Sequence, residues 1–316
     1  MQSAYGIAAR EITFLPLGND ATAWVYRVPG DPGWFLKVKR GGVYPPSLSV
    51  PRWLRDQGIA EVVAPVDTRA GALSQALEDF TLILYPWIEG PTGMEAGLTA
   101  AQWVEFGRAL RRIHTARLPE ELAAQVRRET FQPPWAGMVE TLQASIRQGG
   151  FHAPVERALA AFWQARGEKI ARLAQRCVAL GDQLRARPAN FVLCHTDIHT
   201  ANVLVAAGLH IVDWDQPLLA PVERDLMFFF NAVDGRVLAD SPEQRAFLGG
   251  YGPAAPDPLA LAYYQYEWVV QEIGDFGQRI LLAPELGAET REAALEGFKK
   301  LFQPGDVVDV AEQSGF

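Results

Sequence analysis

A run of polar residues joins two short apolar segments, Phe191–Cys194 and Leu209–Val212. Asp197 lies in this run five residues before Asn202, and Asp213 follows the second segment directly. Phosphoryl transfer needs a carboxylate that orients a hydroxyl and accepts its proton, together with oxygen ligands for magnesium. The chain contains only four Asn, so an Asn at this offset is not readily explained by chance. The spacing predicts a phosphoryl-transfer loop with Asp197 at its centre.

The elements that would position this loop divide the chain into two parts. Short β-type runs fill the first part and are separated by Gly, Pro and Asp turns: Thr13–Leu17, Trp24–Val28, Trp34–Lys39 and Leu82–Tyr85. One helix, Ser47–Gln57, interrupts them. Apolar residues at helical spacing dominate after Pro86 and predict helices at Thr99–Pro119, Val155–Leu184, Leu259–Leu282 and Glu292–Phe302. A β-rich lobe joined by a short hinge to a helical lobe is expected.

The bulk composition excludes several classes of protein. Hydrophobic residues make up 49% of the 316 residues, which is enough to bury one or two cores and excludes a disordered chain. The formal net charge of -8 lacks the basic footprint that nucleic acids and anionic membranes attract. A neutral or cationic small molecule is the expected partner.

Neither the first residues nor the cysteines indicate export. Met1–Glu11 has no basic stretch followed by an apolar run, and the longest apolar runs, Phe228–Phe230 and Leu259–Tyr264, are too short to cross a bilayer. Cys177 and Cys194 are the only cysteines, which excludes a disulfide framework and a zinc site built on cysteines. A cytoplasmic protein with two reduced thiols is expected.

The pattern His195-x-Asp197-x4-Asn202, followed by Ile211-Val212-Asp213, resembles the aminoglycoside phosphotransferase and choline kinase group. Three longer segments resemble this group as well: Leu193–His199, Asp213–Pro217 and Leu219–Phe228. The similarity extends from Leu17 to Phe302. It implies an α+β, bilobal protein-kinase-like fold with a β-rich nucleotide-binding lobe at 1–86, a hinge at 87–90, and a helical lobe at 91–316 that carries the catalytic loop and the acceptor site.

The resemblance also implies a role for each residue of the loop. Asp197 would be the catalytic base, and Asn202 and Asp213 would be the magnesium ligands. Asp225 would be a buried anchor of the catalytic loop. His195 would brace the loop rather than act as an acid or base, because Asp197 already supplies the carboxylate.

Residues of the first lobe would bind ATP or GTP. The segment Trp34–Lys39 resembles the strand whose lysine grips the α- and β-phosphates, which selects Lys37 and leaves Lys39, on the same face, as the alternative. The Pro86 carbonyl and the Ile88 amide would read the adenine edge. The phosphate loop would consist of Gly18, Asn19, Asp20, Ala21 and Thr22. It has one glycine rather than three, and a simple hairpin turn explains it nearly as well.

One feature of kinases of this type is missing. They pair the strand lysine with a glutamate on a helix, yet the stretch Val43–Leu48 contains no acid, and Pro45 occupies the glutamate's place by ungapped counting from Lys37. Either another carboxylate substitutes, or the phosphates alone fix the lysine, or nucleotide binding is weak.

The expected reaction is magnesium-dependent phosphorylation of a hydroxyl on a small molecule, an aminoglycoside or aminocyclitol antibiotic first. The amines of such an acceptor need acidic partners, and five candidates are Asp215, Glu223, Glu267, Glu272 and Asp275. A solvated helix face explains Glu267 to Asp275 at least as well. The alternatives are a kinase of choline, methylthioribose, homoserine or fructosamine, and a kinase-like binding protein that has lost catalysis. Either a monomer or a homodimer is compatible with the sequence.

Overall fold

The computed structural model describes residues 1–9, 11–16, 22–230 and 240–314. Contacts within the chain group it into two compact units. The first unit comprises residues 1–128, 192–219 and 246–253, and the second comprises 129–191, 220–245 and 254–316. The predicted lobe boundary at 87–90 stays a prediction.

The first unit contains a five-stranded antiparallel sheet with the order β1-β2-β3-β5-β4. Its strands are β1 (Thr13–Leu15), β2 (Ala23–Val28), β3 (Trp34–Arg40), β4 (Gln75–Leu77) and β5 (Phe80–Pro86). The four predicted runs are all strands. The sequence analysis did not predict β4, because its three residues lack the alternation that marks a half-buried strand.

The two faces of β3 carry different side chains, because successive side chains on a strand point to opposite sides. Leu36 faces a buried cluster with Val28 and Leu84. Lys37 lies on the other face, where Val25 and Ile83 are its partners on the neighbouring strands. The core cluster thus fixes the strand that presents the lysine.

Short elements complete the first unit. Its helices are α1 (Gln2–Tyr5), α2 (Pro46–Asp56), α3 (Gly93–Ala96), α4 (Ala100–Thr115) and α5 (Glu120–Ala123). Its remaining strands are β6 (Arg127–Arg128), β7 (Val192–Cys194), β8 (Val203–Val205), β9 (Leu209–Ile211) and β10 (Leu218–Ala220). Strands β8 and β9 form a hairpin. The other three form a sheet in the order β6-β10-β7. Helix α4 begins with a capping box, since Thr99 and Gln102 each bind the other's backbone amide.

The second unit is helical. Its helices are α6 (Ala136–Gln148), α7 (Pro154–Gln164), α8 (Gly167–Arg185), α9 (Glu223–Leu226), α10 (Pro242–Tyr251, which ends in the first unit), α11 (Pro258–Leu281), α12 (Ala288–Lys300) and α13 (Val307–Glu312). The central helix α11 contacts α6, α8, α12 and α13 and is buried along most of its length. No helix in the described ranges is both long and apolar enough to cross a membrane.

The predicted single helix Val155–Leu184 is wrong, because the segment forms the two helices α7 and α8. The chain leaves the helical conformation at Arg166, whose guanidinium lies 3.7 Å from the centre of the Phe162 ring. Gly167 then starts α8. Periodicity did not reveal the break, because apolar residues recur at helical spacing on both sides of it.

The helix α4 and the end of α10 cross closely within the first unit. A Cβ atom at Gly250 would overlap the carbonyl group of Val104, and one at Gly107 would overlap the carbonyl of Phe247. Glycine at both positions lets the two backbones approach. A Cβ at Gly249 would make only an ordinary van der Waals contact.

Gly250→Ala should lower the free energy of unfolding by about 1–3 kcal/mol, because the extra methyl group forces the two helices apart. Gly249→Ala is the matched control and should change stability little or raise it, since alanine favours a helix over glycine. Urea unfolding of both variants measures the difference. Equal stabilities for the two variants would contradict the close crossing.

Candidate active site

His195 connects the two ends of the predicted catalytic loop. It follows β7, and its side chain is almost completely buried, at 1% exposure. The amide of Asp197 donates to Nδ1 of His195 at 3.3 Å, and Nε2 lies 2.9 Å from the carbonyl oxygen of Val212. Because a carbonyl only accepts, the contact with Val212 requires a proton on Nε2. The ring also packs edge-on against Trp214, with 4.6 Å between the centroids.

The carboxylate of Asp197 is held by two side chains from the same loop. The amide nitrogen of Asn202 donates to the backbone oxygen and to Oδ2 of Asp197, both at 2.8 Å. Nε2 of His199 lies 3.2 Å from Oδ1, while its Nδ1 accepts from the amide of Ala201. Desolvation works to raise the pKa of Asp197, but the hydrogen bond and charge of His199, with His195 and Asn202, hold it below its ordinary value. Asp197 is therefore ionised at neutral pH and able to accept a proton.

Asp213 follows the β8–β9 hairpin and adopts a left-handed backbone conformation, with φ at 64°. Such a conformation is uncommon outside glycine, and it turns the chain directly after the strand. The ammonium of Lys37 lies 3.6 Å from Oδ1 of Asp213 and 2.7–2.8 Å from both oxygens of Asp215. Desolvation and the neighbouring Asp215 raise the pKa of Asp213, and Lys37 opposes this rise.

The charges of this site fit a divalent cation. Three carboxylates, on Asp197, Asp213 and Asp215, interact here, while Lys37 supplies one positive charge. The amide nitrogen of Asn202 is turned toward Asp197, so its hard oxygen atom is the group left for a ligand. Carboxylate and amide oxygens are the ligands that magnesium prefers. The donor set and the excess negative charge therefore match the predicted magnesium site.

The carboxylate opposite Lys37 is Asp215 and does not come from a helix. Helix α2 begins after Pro45, and its first turn contains no acidic residue. Three explanations were open for the missing helix glutamate opposite Lys37. The geometry agrees with the one in which another carboxylate takes its place.

The backbone at the end of β5 agrees with the predicted hinge contacts. The carbonyl of Leu84 points away from β3 and accepts from the amide of Val66, whereas the amide of Trp87 donates toward β3. Backbone groups of successive strand residues alternate in direction. The carbonyl of Pro86 therefore projects away from β3, and Pro86 removes no hydrogen bond from the ladder.

Two further groups of predicted residues are placed only in part. Gly18, Asn19 and Asp20 of the predicted phosphate loop lie outside the described residues. Thr22 is described, and its carbonyl accepts the amide of Arg40 at 2.8 Å. Asp225, the predicted anchor, is fully buried at α9 in the second unit.

The predicted acceptor residues of the second unit differ in their surroundings. Glu223 is buried and accepts the amide of Asp257 at 2.8 Å. Glu272 and Asp275 are half-buried on α11. Glu267 is buried as well, so the interpretation as a solvated helix face is wrong at this position.

Glu267 forms a buried ion pair that the sequence analysis missed. Its Oε2 lies 3.0 Å from Nη1 of Arg224, and both side chains are 10% exposed. Burial raises the pKa of Glu267, and the guanidinium of Arg224 opposes this rise. The sequence does place an Arg inside the Glu223–Leu226 segment, which is the one hint of an ion pair there. Its partner lies 43 residues away, so the spacing of the residues did not indicate the pair.

Comparisons with known proteins agree with this geometry. The sequence profile of the phosphotransferase enzyme family matches residues 11–264. Protein StrN of Streptomyces griseus is 28% identical over 297 residues, which cover 90% of this chain and 84% of that protein.

Among the solved structures that are similar to this chain are two with a bound nucleotide. Spectinomycin phosphotransferase APH(9)-Ia, in complex with ADP and spectinomycin, is 33% identical, with a TM-score of 0.88 over 99% of this chain and 96% of that one. An amicoumacin kinase in complex with AMP-PNP and Ca²⁺ is 16% identical, with a TM-score of 0.62 over 99% of this chain and 94% of that one, and shares the fold. The predicted resemblance to the aminoglycoside phosphotransferase group is confirmed. So is the predicted α+β fold with a sheet-rich first part and a helical remainder.

Glu267→Ala should lower the free energy of unfolding by about 3–5 kcal/mol, because it leaves the charge of Arg224 buried without its partner. The double variant Arg224→Met/Glu267→Met removes both charges and should recover at least half of that loss. Urea unfolding measures both. A Glu267→Ala variant as stable as the wild type would show that the pair does not hold the second unit together.

Proposed function

The chain belongs to the phosphotransferase enzyme family and is a small-molecule kinase, and we propose that its acceptor is an aminoglycoside or aminocyclitol antibiotic, with spectinomycin first. The proposed donor is the γ-phosphate of ATP or GTP in the presence of Mg²⁺. The observation that carries the proposal is the convergence of Asp197, Asn202, Asp213 and Lys37 within one compact unit. The identity of 33% with spectinomycin phosphotransferase along nearly the whole chain supports the choice of acceptor.

Asp197 is the proposed general base. Its ionised carboxylate would accept a hydrogen bond from the acceptor hydroxyl and then take the proton as the hydroxyl oxygen attacks the γ-phosphorus. The bond between the γ-phosphorus and the bridging oxygen breaks, and the nucleoside diphosphate leaves. The hydrogen bonds from Asn202 fix the carboxylate before the acceptor arrives, so little reorganisation is needed during the reaction.

Lys37, Asn202 and Asp213 would bind the phosphate end of the nucleotide. Magnesium held by Asn202 and Asp213 would offset the negative charge on the phosphate oxygens. Lys37 would contact the α- and β-phosphates, as would the backbone amides of the loop that contains Gly18, Asn19 and Asp20.

The other end of the nucleotide would lie at the hinge. The carbonyl of Pro86, which projects away from β3, and the amide of Ile88 would offer one acceptor and one donor for the base edge. Residues 1–86 would thus form the nucleotide-binding lobe, and 91–316 the lobe of the catalytic loop and acceptor.

A cationic acceptor would be held by acidic groups. Glu272 and Asp275 are the half-buried candidates on α11, where Asp275 forms an ion pair with Arg279. Glu223 and Glu267 likewise bind a backbone amide and a guanidinium, so these carboxylates would act on the acceptor only through charge that their partners leave uncompensated.

Asp197→Asn should lower kcat for phosphorylation by about a thousandfold, because the amide cannot accept the proton of the acceptor. Release of the nucleoside diphosphate and the mass of the product measure this loss. Affinity for the nucleotide should stay within about threefold, and Asp56→Asn, at an exposed ion pair with Arg52, is the matched control. A wild type that phosphorylates no hydroxyl acceptor, or an Asp197→Asn variant of full activity, would overturn the proposed function.

Removal of divalent cations with EDTA should abolish turnover, and added Mg²⁺ should restore it, because the site carries an excess of negative charge. Asp213→Asn replaces one predicted ligand with a weaker neutral one. It should raise the Mg²⁺ concentration for half-maximal rate by about tenfold or more. Turnover that persists in EDTA would exclude the metal role assigned to Asp213.

A further inference from the structure

The ion pair between Lys37 and Asp215 has a consequence for the metal site. We propose that Asp215 is a positioning residue that holds the ammonium of Lys37 away from Asp213, so that Asp213 stays available to a divalent cation. The identity of the cation as nucleotide-bound Mg²⁺ rests on the proposed function. The coupling between Asp215 and Lys37 does not.

The distances show to which carboxylate the lysine is committed. Nζ of Lys37 lies 2.8 Å from Oδ1 and 2.7 Å from Oδ2 of Asp215, which are hydrogen-bond distances. Its distance to Oδ1 of Asp213 is 3.6 Å, which is too long for a hydrogen bond. The Lys37 side chain is only 14% exposed, so water screens the pair less than it screens a surface ion pair.

Asp215 itself is fixed by the residues on either side of it. Trp214, which precedes it, is buried. The carbonyl of Gln216, which follows it, accepts from the hydroxyl of Thr196 at 3.1 Å, and the Gln216 side chain accepts from Arg127 at 2.9 Å. These contacts place the carboxylate before any ligand binds.

The stretch that lacks a glutamate also supports this loop. Tyr44 lies two residues before α2, and its ring packs under the guanidinium of Arg127 at 4.0 Å. Its hydroxyl accepts the amide of Arg127 at 2.7 Å and lies 3.5 Å from the carbonyl of Pro217. The segment before α2 therefore contributes no charge to Lys37 but helps to hold the loop that does.

Loss of Asp215 would leave the carboxylate of Asp213 beside Lys37, 3.6 Å from its ammonium. The ammonium would then move onto Asp213 and compete with the cation for the same oxygens. Asp215 thus keeps the lysine and the metal on separate carboxylates, two residues apart on one loop.

The test is a double-mutant cycle on nucleotide binding, with Asp215→Asn, Lys37→Met and the double variant. The affinity for ADP is measured by calorimetric titration, once in the presence of Mg²⁺ and once in EDTA. This measurement requires no turnover. Asp215→Asn should weaken binding of Mg²⁺–ADP by about tenfold and change binding of metal-free ADP by less than about threefold. In the Lys37→Met background, Asp215→Asn should change either affinity by less than about twofold, because no ammonium is left to occupy Asp213.

Two further variants separate positioning from a general effect on folding. Asp215→Glu keeps the charge and should retain the affinity for Mg²⁺–ADP within about threefold. Asp67→Asn removes an equally short ion pair, 2.7 Å from Arg52, in the same unit but outside the site, and should leave both affinities unchanged.

Three results would overturn the proposal. An equal loss of Mg²⁺–ADP affinity in the Lys37→Met background would show that Asp215 acts on the metal directly. A rise confined to the KM of the acceptor would make Asp215 an acceptor contact, and unchanged affinity in Asp215→Asn would show no role. If the variants show the coupling but the wild type phosphorylates no acceptor, the proposed function is contradicted, whereas the role proposed for Asp215 stands.

Discussion

Electrostatic repulsion between carboxylates is the constraint on which the site depends. Asp197, Asp213 and Asp215 interact within one unit, and each like charge raises the free energy of the others. Lys37 offsets one charge through Asp215, while His199 and Asn202 stabilise Asp197 through hydrogen bonds. The remaining negative charge fits a divalent cation, which would bind where repulsion is strongest. The proposed cation and phosphate group would therefore balance each other's charge in this site.

The scaffold around these charges is made of elements that allow little movement. The strand β3 places Lys37 by burying Leu36 on its opposite face, and the hairpin of β8 and β9 ends two residues before Asp213. The ring of His195 contacts the backbone at Asp197 and at Val212, so it helps to fix the spacing of Asp197 and Asp213. Such preorganisation lets a few polar groups act without the cost of reorienting during the reaction.

The sequence predicted the parts of the site that depend on short spacing. Asp197, Asn202 and Asp213 follow one another along a strand, a loop and a hairpin, so their order alone indicated that they meet. The pairing of Lys37 with Asp215 spans 178 residues and depends on the fold, and the pairing of Arg224 with Glu267 was hidden for the same reason. The break at Arg166 leaves no trace in apolar periodicity because apolar residues recur on both sides of it, and the close crossing at Gly250 leaves none because it depends on backbone contacts.

The central claim is that this family member phosphorylates a hydroxyl of an aminocyclitol antibiotic. Mass spectrometry of spectinomycin after incubation with the protein, Mg²⁺ and ATP or GTP tests it most directly. The antibiotic should gain a single phosphoryl group at a hydroxyl, in equal amount to the nucleoside diphosphate formed. Unmodified spectinomycin together with free inorganic phosphate, or with no nucleotide consumed, would contradict it.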